Sequence, residues 1–283
     1  MSVRTILACL LNRASAGLVS EAGATLARRW NAHLTGLHTL EAVIVYPGVA
    51  MYVPGPTFEV FNEAARVEGE AIGAIFAEAA RRAGVASEWR MVHAGSAAAA
   101  DRMIESARAA DLVLMARPDR GEDRPDQRHA FSRVVREGAR PVLLIPPGGL
   151  ADGPSGPRIG RRVVLGHAPT RESARAAFDM LPLLEEHAEV HLVHAGDERD
   201  ELRDAAMTDL AAALSRHGAN VTLAHRARHG RSVVGVLSDE AAEIGADLIV
   251  SGAFGHSRTY DFFLGATTGE LMREANLPVL FSC

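Results

Sequence analysis

Aromatic residues are scarce in this sequence, and long apolar runs are missing. Phe, Trp and Tyr make up 5% of the 283 residues, whereas hydrophobic residues as a whole make up 48%. This balance is typical of sheets packed against Ala-rich helices and does not favour an aromatic-lined groove. No stretch approaches the roughly 20 apolar residues of a membrane-spanning helix. The sequence therefore predicts a chain without a membrane span.

Basic charge and cysteine are also in short supply. The formal net charge is −5 and the pI about 6.2, so a nucleic-acid partner is not expected. Cys9 and Cys283 have neither the spacing of a metal-binding pair nor the number needed for a disulfide framework. The short N-terminal apolar run ends at Asn12 and lacks the features of a secretory signal. The predicted location is the reducing cytoplasm.

Several landmarks recur in the same order in the two halves of the chain. Each half contains a small glycine loop, a helical segment, an apolar strand that follows an Asp, and a last strand that follows a Pro. The landmarks are Gly95, Asp111 and Pro141 in the first half and Gly230, Asp247 and Pro278 in the second. The Asp-to-Pro spacing is 30 residues in the first half and 31 in the second. This agreement predicts an internal repeat.

The two halves differ in length and are joined by a segment rich in Pro and Gly. The offset between halves is 157 from Ile6 to Val163 but 136 from Asp111 to Asp247, so the first half holds 21 additional residues. We place them within Ala42 to Val67. Residues 146–157 have the composition of a linker. The predicted domains are therefore residues 1–147 and 160–283.

Strand-like and helical segments alternate along both halves, and apolar residues at helical intervals predict helices over residues 15–31, 68–83 and 171–184. This alternation predicts parallel strands joined by right-handed crossovers, with helices on both faces of the sheet. Each half is thus expected to be an α/β, doubly wound domain with a five-stranded parallel sheet. Ligands bind such sheets where the strand order reverses, which indicates the loops after the first and fourth strands. The predicted strands lie near residues 3–9, 33–39, 88–93, 111–116, 141–145, 162–167, 189–195, 220–225, 247–252 and 278–282.

A glycine-rich loop follows the fourth strand of the second half. It reads Gly252-x2-Gly255-x9-Gly265 and continues into small residues. Together with the flanks Ala246-Asp-Leu-Ile-Val and Leu277-Pro-Val-Leu, this loop resembles the glycine signature of the universal stress protein family. The resemblance covers nearly all of the second half and, more weakly, the first.

The resemblance implies the adenine nucleotide alpha hydrolase-like form of the fold, and a tandem protein whose domains pair through their last strands. It also implies a non-catalytic stress-response or regulatory role, with ATP or another adenine nucleotide, and Mg²⁺ if bound, held by the second half. Glycines let phosphates approach the main chain, and the start of the next helix, predicted over residues 269–274, attracts anions. The candidate nucleotide-binding residues are Gly252, Gly255, His256, Gly265, Ala266, Thr267, His167 and Ala168.

Two positions depart from the pattern of the ATP-binding relatives. Ala168, or His167, stands where the carboxylate that holds the ribose is expected, and Ala266 provides no hydroxyl after the last glycine. Each lost contact would cost about 1–3 kcal/mol, which together weaken binding by roughly two to three orders of magnitude. In the first half, the loop from Asp119 to Arg128 is charged and contains one glycine, so no nucleotide site is expected there.

Other functions stay open at this stage. The glycine loop could be a structural relic that only turns the chain. A weak ATPase would need an acid that holds a metal, and Asp261 is the only carboxylate inside the loop. A binding module for another small molecule would use the insertion 42–67, where Phe58 and Phe61 could cover an apolar pocket or simply extend the core. A homodimer of the whole chain is a further open alternative.

Metal and catalytic sites are not expected. His191 and His194 are three apart on a predicted strand and point to opposite faces, and no three histidines converge by spacing. Ser96 and Ser232 follow glycine in matching loops, where capping of the next helix is the expected role. Asp111 and Asp247 begin strands, which predicts a structural role.

Overall fold

The computed structural model describes residues 2–40, 55–94, 98–118, 125–153, 156–198, 200–255 and 265–283. The first half contains strands β1 (Thr5–Cys9), β2 (His33–Leu40), β3 (Ser87–His93), β4 (Leu112–Ala116) and β5 (Val142–Ile145), and helices α1 (Arg13–Trp30), α2 (Gly55–Ala83), α3 (Ala99–Ala107) and α4 (Pro125–Glu137). Every strand predicted for this half is present, within two residues at either end.

The second half repeats this order of elements. Its strands are β8 (Arg162–Gly166), β9 (Glu189–Ala195), β10 (Asn220–Arg226), β11 (Leu248–Gly252) and β12 (Val279–Ser282), and its helices are α5 (Arg171–Asp179), α6 (Glu201–Arg216), α7 (Val233–Ile244) and α8 (Ala266–Glu274). A short hairpin of β6 (Ala151–Gly153) and β7 (Gly156–Arg158) lies between the halves. The segment predicted as a linker is therefore partly ordered into a hairpin.

All ten long strands form one sheet in the order β10-β9-β8-β11-β12-β5-β4-β1-β2-β3. Within each half the strands are parallel, and the strand order reverses between the first and fourth strands, as predicted for a doubly wound domain. The halves meet where β12 pairs antiparallel with β5, with Leu280 opposite Leu143. The predicted pairing through the last strands is confirmed.

Two layers of helices cover the sheet, and small residues let them approach closely. Helices α1, α2, α5 and α6 pack on one face, and α3, α4, α7 and α8 on the other. Helix α1 buries Ala16, Ala22 and Ala27, and a Cβ on its Gly23 would come within 2.9 Å of Leu34. The expectation of Ala-rich helices packed on sheets is confirmed.

In each half, one aspartate links the start of the first strand to the start of the fourth strand. Asp247, 3% exposed, accepts hydrogen bonds from the backbone N–H groups of Gly160 at 2.9 Å and Arg161 at 3.1 Å. Asp111 accepts from Arg4 N at 2.8 Å and from the next residue, Thr5. Because a buried backbone donor without a partner is costly, these carboxylates have the structural role that the sequence predicts.

Helix boundaries follow local caps, and some of the predicted ends move. Thr170 caps α5 by accepting from Ser173 N at 3.2 Å, and Ser232 caps α7 by accepting from Gly235 N at 3.0 Å. Helix α2 begins at Gly55, before the predicted start at Glu68, because Pro56 is tolerated in a first helical turn. The predicted helix over 171–184 ends at Asp179 and continues as a short 3-10 turn.

None of the described helices is both long and apolar enough to cross a membrane.

Candidate functional site

A cleft of about 440 Å³ opens at the carboxyl ends of β8, β9 and β11. It lies where the strand order reverses between β8 and β11, which is the position that favours ligand binding in an open α/β sheet. Its lining is contributed by Gly166, His167, Ala168, Pro169, Thr170, Ser173, Val193, His194, Ala195, Arg228, Val233, Leu237, Ser251, Gly252, Phe254, Gly255, Gly265, Ala266, Thr267 and Thr268.

Seven of the eight candidate residues therefore line one cleft, since parallel strands end at the same edge of the sheet. His256 lies outside the described residues, as do Asp261, Ser96 and the loop 119–124. The lining residues that the structure describes include no carboxylate, and no group of three His, Cys, Asp or Glu among the described residues could hold a metal ion.

The first two glycines of the signature are required by packing. A Cβ on Gly252 would lie 2.5 Å from the backbone N of Ser173, and one on Gly255 would lie 2.9 Å from Thr170 Oγ1. Both glycines therefore allow the N-terminal turn of α5 to lie against the loop that follows β11. Their role is to bring the two cleft-forming loops together.

The third glycine differs from the other two. Gly265 precedes the first turn of α8 and accepts a hydrogen bond from Gly269 N at 2.9 Å. A Cβ there would meet nothing nearer than Thr268 Oγ1 at 3.9 Å. Helix α8 begins at Ala266 rather than at the predicted Gly269, so the first-turn N–H groups of Ala266 and Thr267 are at the cleft. Such groups have no partner within the helix.

His167 and Ala168 follow β8, as predicted, and their backbones are anchored. His167 N donates to Val193 O at 2.8 Å, and Ala168 N donates to Ser173 Oγ at 3.1 Å. Ser173, which the sequence did not single out, thus links the end of β8 to α5. The imidazole of His167 is half-buried in the wall of the cleft.

Three histidines lie side by side across the ends of β8, β9 and β10, and we call them the histidine row: His167, His194 and His225. The ring centroids are 6.3 Å apart between His167 and His194 and 5.3 Å apart between His194 and His225. His191 instead contacts Glu240 at 2.7 Å, so His191 and His194 do point to opposite faces. The spacing along the chain did not reveal the row, because its members belong to three different strands.

Burial alters the protonation of two members of the row. It lowers the pKa of His167 and of His194, and the Arg203 charge lowers both pKa values further. The Nδ1 atoms of His167 and His225 and the Nε of Arg203 are buried without a hydrogen-bond partner among the described residues. Asp204 acts in the opposite direction on His194. Near neutral pH the imidazoles at the cleft are therefore mostly uncharged.

A buried carboxylate stands behind the glycine loop without lining the cleft. Glu172 is 6% exposed and accepts from Arg171 Nε at 2.5 Å. Burial pushes the pKa of Glu172 upward, but hydrogen bonds, chiefly from Arg171, outweigh it and leave the pKa below its ordinary value. This negative charge is neutralised locally and does not face the ligand space.

A side chain of the first half contacts the described part of the glycine loop in the second half. The guanidinium of Arg136 in α4 lies 4.5 Å from the ring centroid of Phe254, within the range of a cation–π contact. Phe254 has a φ of +65°, a left-handed conformation that is uncommon for an aromatic residue. The packing between the halves therefore helps to hold the loop in this conformation.

The sequence model of the universal stress protein family matches the chain twice, over residues 2–146 and 160–282. The crystal structure of a universal stress protein from Archaeoglobus fulgidus is 14% identical and aligns over 99% of this chain and 96% of that chain, with a TM-score of 0.72. A putative universal stress protein from Pseudomonas aeruginosa is also 14% identical and aligns over 99% and 93%, with a TM-score of 0.57.

These identities show a shared fold alone. A universal stress protein in complex with cAMP is 22% identical and aligns over 51% of this chain and 98% of that chain, with a TM-score of 0.34. No curated protein matches the sequence. Because the family model covers both halves, the chain belongs to the universal stress protein family as a tandem, two-domain member.

Proposed function

We propose that this protein is a non-catalytic regulatory or stress-response protein whose second half binds an adenine nucleotide in the cleft. The observation that supports the proposal most directly is the cleft itself. Its volume of about 440 Å³ falls within the roughly 300–1,000 Å³ of small-molecule sites, and it lies at the reversal of strand order.

The polar groups of the cleft favour an anion. The N-terminal turn of α8 contributes N–H groups that have no partner within the helix and the positive end of its dipole, and Arg228 adds a cation at the rim. The described lining has no carboxylate to repel a phosphate. The absent hydroxyl at Ala266 weakens this site without removing its backbone donors.

Binding without turnover fits the groups that line the cleft. Hydrolysis of a phosphoanhydride needs a metal ion and a residue that positions the water, and the described lining contains no acidic metal ligand. The alternative of a small-ligand site under the insertion stays a prediction: residues 42–54 and the side chain of Phe58 lie outside the described residues, and Phe61 is 57% exposed. The cytoplasmic location and a homodimer stay predictions.

Calorimetric titration of ATP, ADP and AMP, with and without Mg²⁺, tests the proposal. We expect one site per chain, and a loss of affinity of more than about tenfold in Gly265→Val. This substitution has room at the helix start, so it fills the cleft mouth without disturbing the fold. Gly148→Val is the matched control, since a Cβ there meets nothing within 4 Å and the position is remote from the cleft.

Each other outcome rejects part of the proposal. No heat with any nucleotide at millimolar concentration would mean that the loop is a structural relic. Steady release of ADP from Mg²⁺ and ATP, abolished by Asp261→Asn, would instead make the protein a weak ATPase.

A further inference from the structure

The cleft has two polar ends, and a single phosphate could contact only one of them. One end is the N-terminal turn of α8 with the glycine loop after β11. The other is the part of the histidine row that lines the cleft, His167 and His194, with Arg203 of α6 close to both imidazoles. Strands β9 and β11 flank β8, and neighbouring strands are about 4.8 Å apart, so the two ends are separated by roughly 10 Å.

The second end contains buried nitrogen atoms that have no hydrogen-bond partner among the described residues. Arg203 donates through one terminal nitrogen to Glu198 O at 2.7 Å, which leaves its buried Nε without a partner in the described part of the chain. The Nδ1 of His167 is in the same condition. Buried polar atoms in proteins are normally paired. A bound anion would supply an acceptor for Arg203 Nε, and for His167 Nδ1 once that nitrogen is protonated.

The position of the His194 ring is fixed by its neighbours. It is 9% exposed, lies between the other two imidazoles, and its Nδ1 is 3.4 Å from His167 O. A Cβ on Gly196 would lie 2.5 Å from His194 Nε2, so glycine leaves the ring its space. The charges that face the row are Arg203 and Asp204 of α6, and Arg228 lines the rim of the same cleft.

We infer that the histidine row and Arg203 form a second anion subsite, and that the ligand is a nucleotide phosphorylated at two separate positions, such as a nucleoside 3′,5′-bisphosphate. The inference rests on the proposed function and specifies its ligand class. One phosphate contacts the start of α8, and the second, on the ribose, contacts the row. The position where ATP-binding relatives are expected to carry an acid for the ribose here presents imidazole and guanidinium groups instead.

Binding of the second phosphate at this subsite is linked to proton uptake by the imidazoles. Because burial and Arg203 lower the pKa values of His167 and His194 and keep these two imidazoles largely uncharged in the free protein, an anion beside them favours the imidazolium form and proton uptake. Affinity for the second phosphate therefore rises as pH falls. The phosphate itself becomes less negative over the same range, so this rise cannot come from the ligand.

The test compares two isomers, ADP and adenosine 3′,5′-bisphosphate, which carry the same two phosphates at different positions. Titrations of the full chain at pH 6 and pH 8 give the ratio of their affinities. We expect the bisphosphate to bind at least about tenfold tighter than ADP at pH 6, the value of one charge-assisted contact. The preference should shrink at pH 8 and fall to within twofold in His194→Gln and in Arg203→Gln.

A matched control and a stability check make the result decisive. His38→Gln removes the imidazole at the corresponding position of the first half and should leave the ratio unchanged. Thermal unfolding shows whether each variant folds, and Arg203→Gln, at a half-buried position, serves if His194→Gln does not.

The outcomes separate the inference from the proposed function. Equal affinities for the two isomers would overturn the second subsite while leaving nucleotide binding intact. Binding of neither isomer would reject the proposed function, and the subsite with it. A bisphosphate preference that survives both variants would show that the second phosphate contacts residues other than the histidine row.

Discussion

The two halves place the same positions at the ends of their first three strands and occupy them differently. By strand register, the positions in the first half correspond one by one to the histidine row. The corresponding sets are Leu10, His38 and Met91 in the first half and His167, His194 and His225 in the second. One scaffold thus carries a mainly apolar row in one copy and a polar row in the other.

Helix packing accounts for much of this contrast. In the first half, α2 lies over the row, and a Cβ on its Gly69 would come within 2.5 Å of Met91 and 3.1 Å of His38. Leu10 is fully buried there. In the second half His167 and His194 line the cleft, and His225 lies beside His194. The comparison shows that the described part of the first half lacks a polar row because apolar side chains and α2 occupy its place.

The end of the fourth strand gives a second contrast. Ala116 and Gly252 occupy corresponding positions, one register step beyond Met115 and Ser251. The first half accepts a Cβ there, whereas in the second the N-terminus of α5 is too close. The absence of a methyl group at Gly252 therefore allows the N-terminus of α5 to pack against the end of β11.

The largest expected effect comes from exchanging these two residues. Gly252→Ala forces a Cβ against the backbone of Ser173 and should lower the free energy of unfolding by about 2–3 kcal/mol and abolish nucleotide binding. Ala116→Gly should cost only about 1 kcal/mol. Urea denaturation measures both, and a Gly252→Ala protein as stable as the original would show that α5 moves away freely.

Substitution of Asp247 and Asp111, which link the first and fourth strands, should give the next largest effect. Asp247→Ala leaves the buried N–H groups of Gly160 and Arg161 without an acceptor and should cost about 2 kcal/mol. Asp111→Ala, at an exposed position where water can replace the carboxylate, should cost about 1 kcal/mol or less. The same denaturation experiment compares them, and equal losses would contradict the assigned difference in burial.

The contact between the halves should contribute less. Arg136→Ala removes the cation from the face of Phe254 and should cost about 1 kcal/mol, with a few-fold loss of nucleotide affinity because the loop is held less firmly. Arg136→Lys retains a cation and should recover part of both quantities. Unchanged affinity in Arg136→Ala would show that the loop holds its conformation alone.

The smallest effect is a dependence of stability on pH. The folded pKa values of His167 and His194 lie below the ordinary value of about 6.5, so the unfolded chain binds more protons and stability falls as pH drops through 6.5. Carboxylates with lowered pKa values, such as Glu240, act only below about pH 4.5. The double variant His167→Gln/His194→Gln should flatten the unfolding free energy between pH 6.5 and 5.5, and an unchanged slope would contradict the burial of these imidazoles.

Much of the fold could be predicted because it depends on local patterns. Apolar runs gave all ten long strands, and the repeated Asp-to-Pro spacing predicted the tandem architecture. The hairpin at Ala151–Arg158 and the early start of α2 at Gly55 were missed, because Pro and Gly in those segments are compatible with both turns and regular elements.

The candidate site was predictable only in part. The glycines were found because the carboxyl ends of parallel strands meet at one edge, and the described members of the signature do line the cleft. Ser173, Arg228 and the histidine row could not be found from spacing, because they come together only through strand register. His194 and His225 each stand one residue before the end of a strand, a signal that has meaning only once the strand order is known.

The antiparallel pairing of β5 with β12 has a consequence for how chains associate. Val142 faces Phe281 and Leu144 faces Val279, with Leu143 opposite Leu280 at the centre, so the contact has the self-complementary geometry of a twofold dimer interface. A tandem chain satisfies this contact internally and leaves no unpaired last strand to offer. In the described part of the chain the edge strands of the sheet are β3 and β10. Any assembly of two copies must therefore use a surface other than the β5–β12 contact. This contact does not fix the number of clefts in the assembly at two.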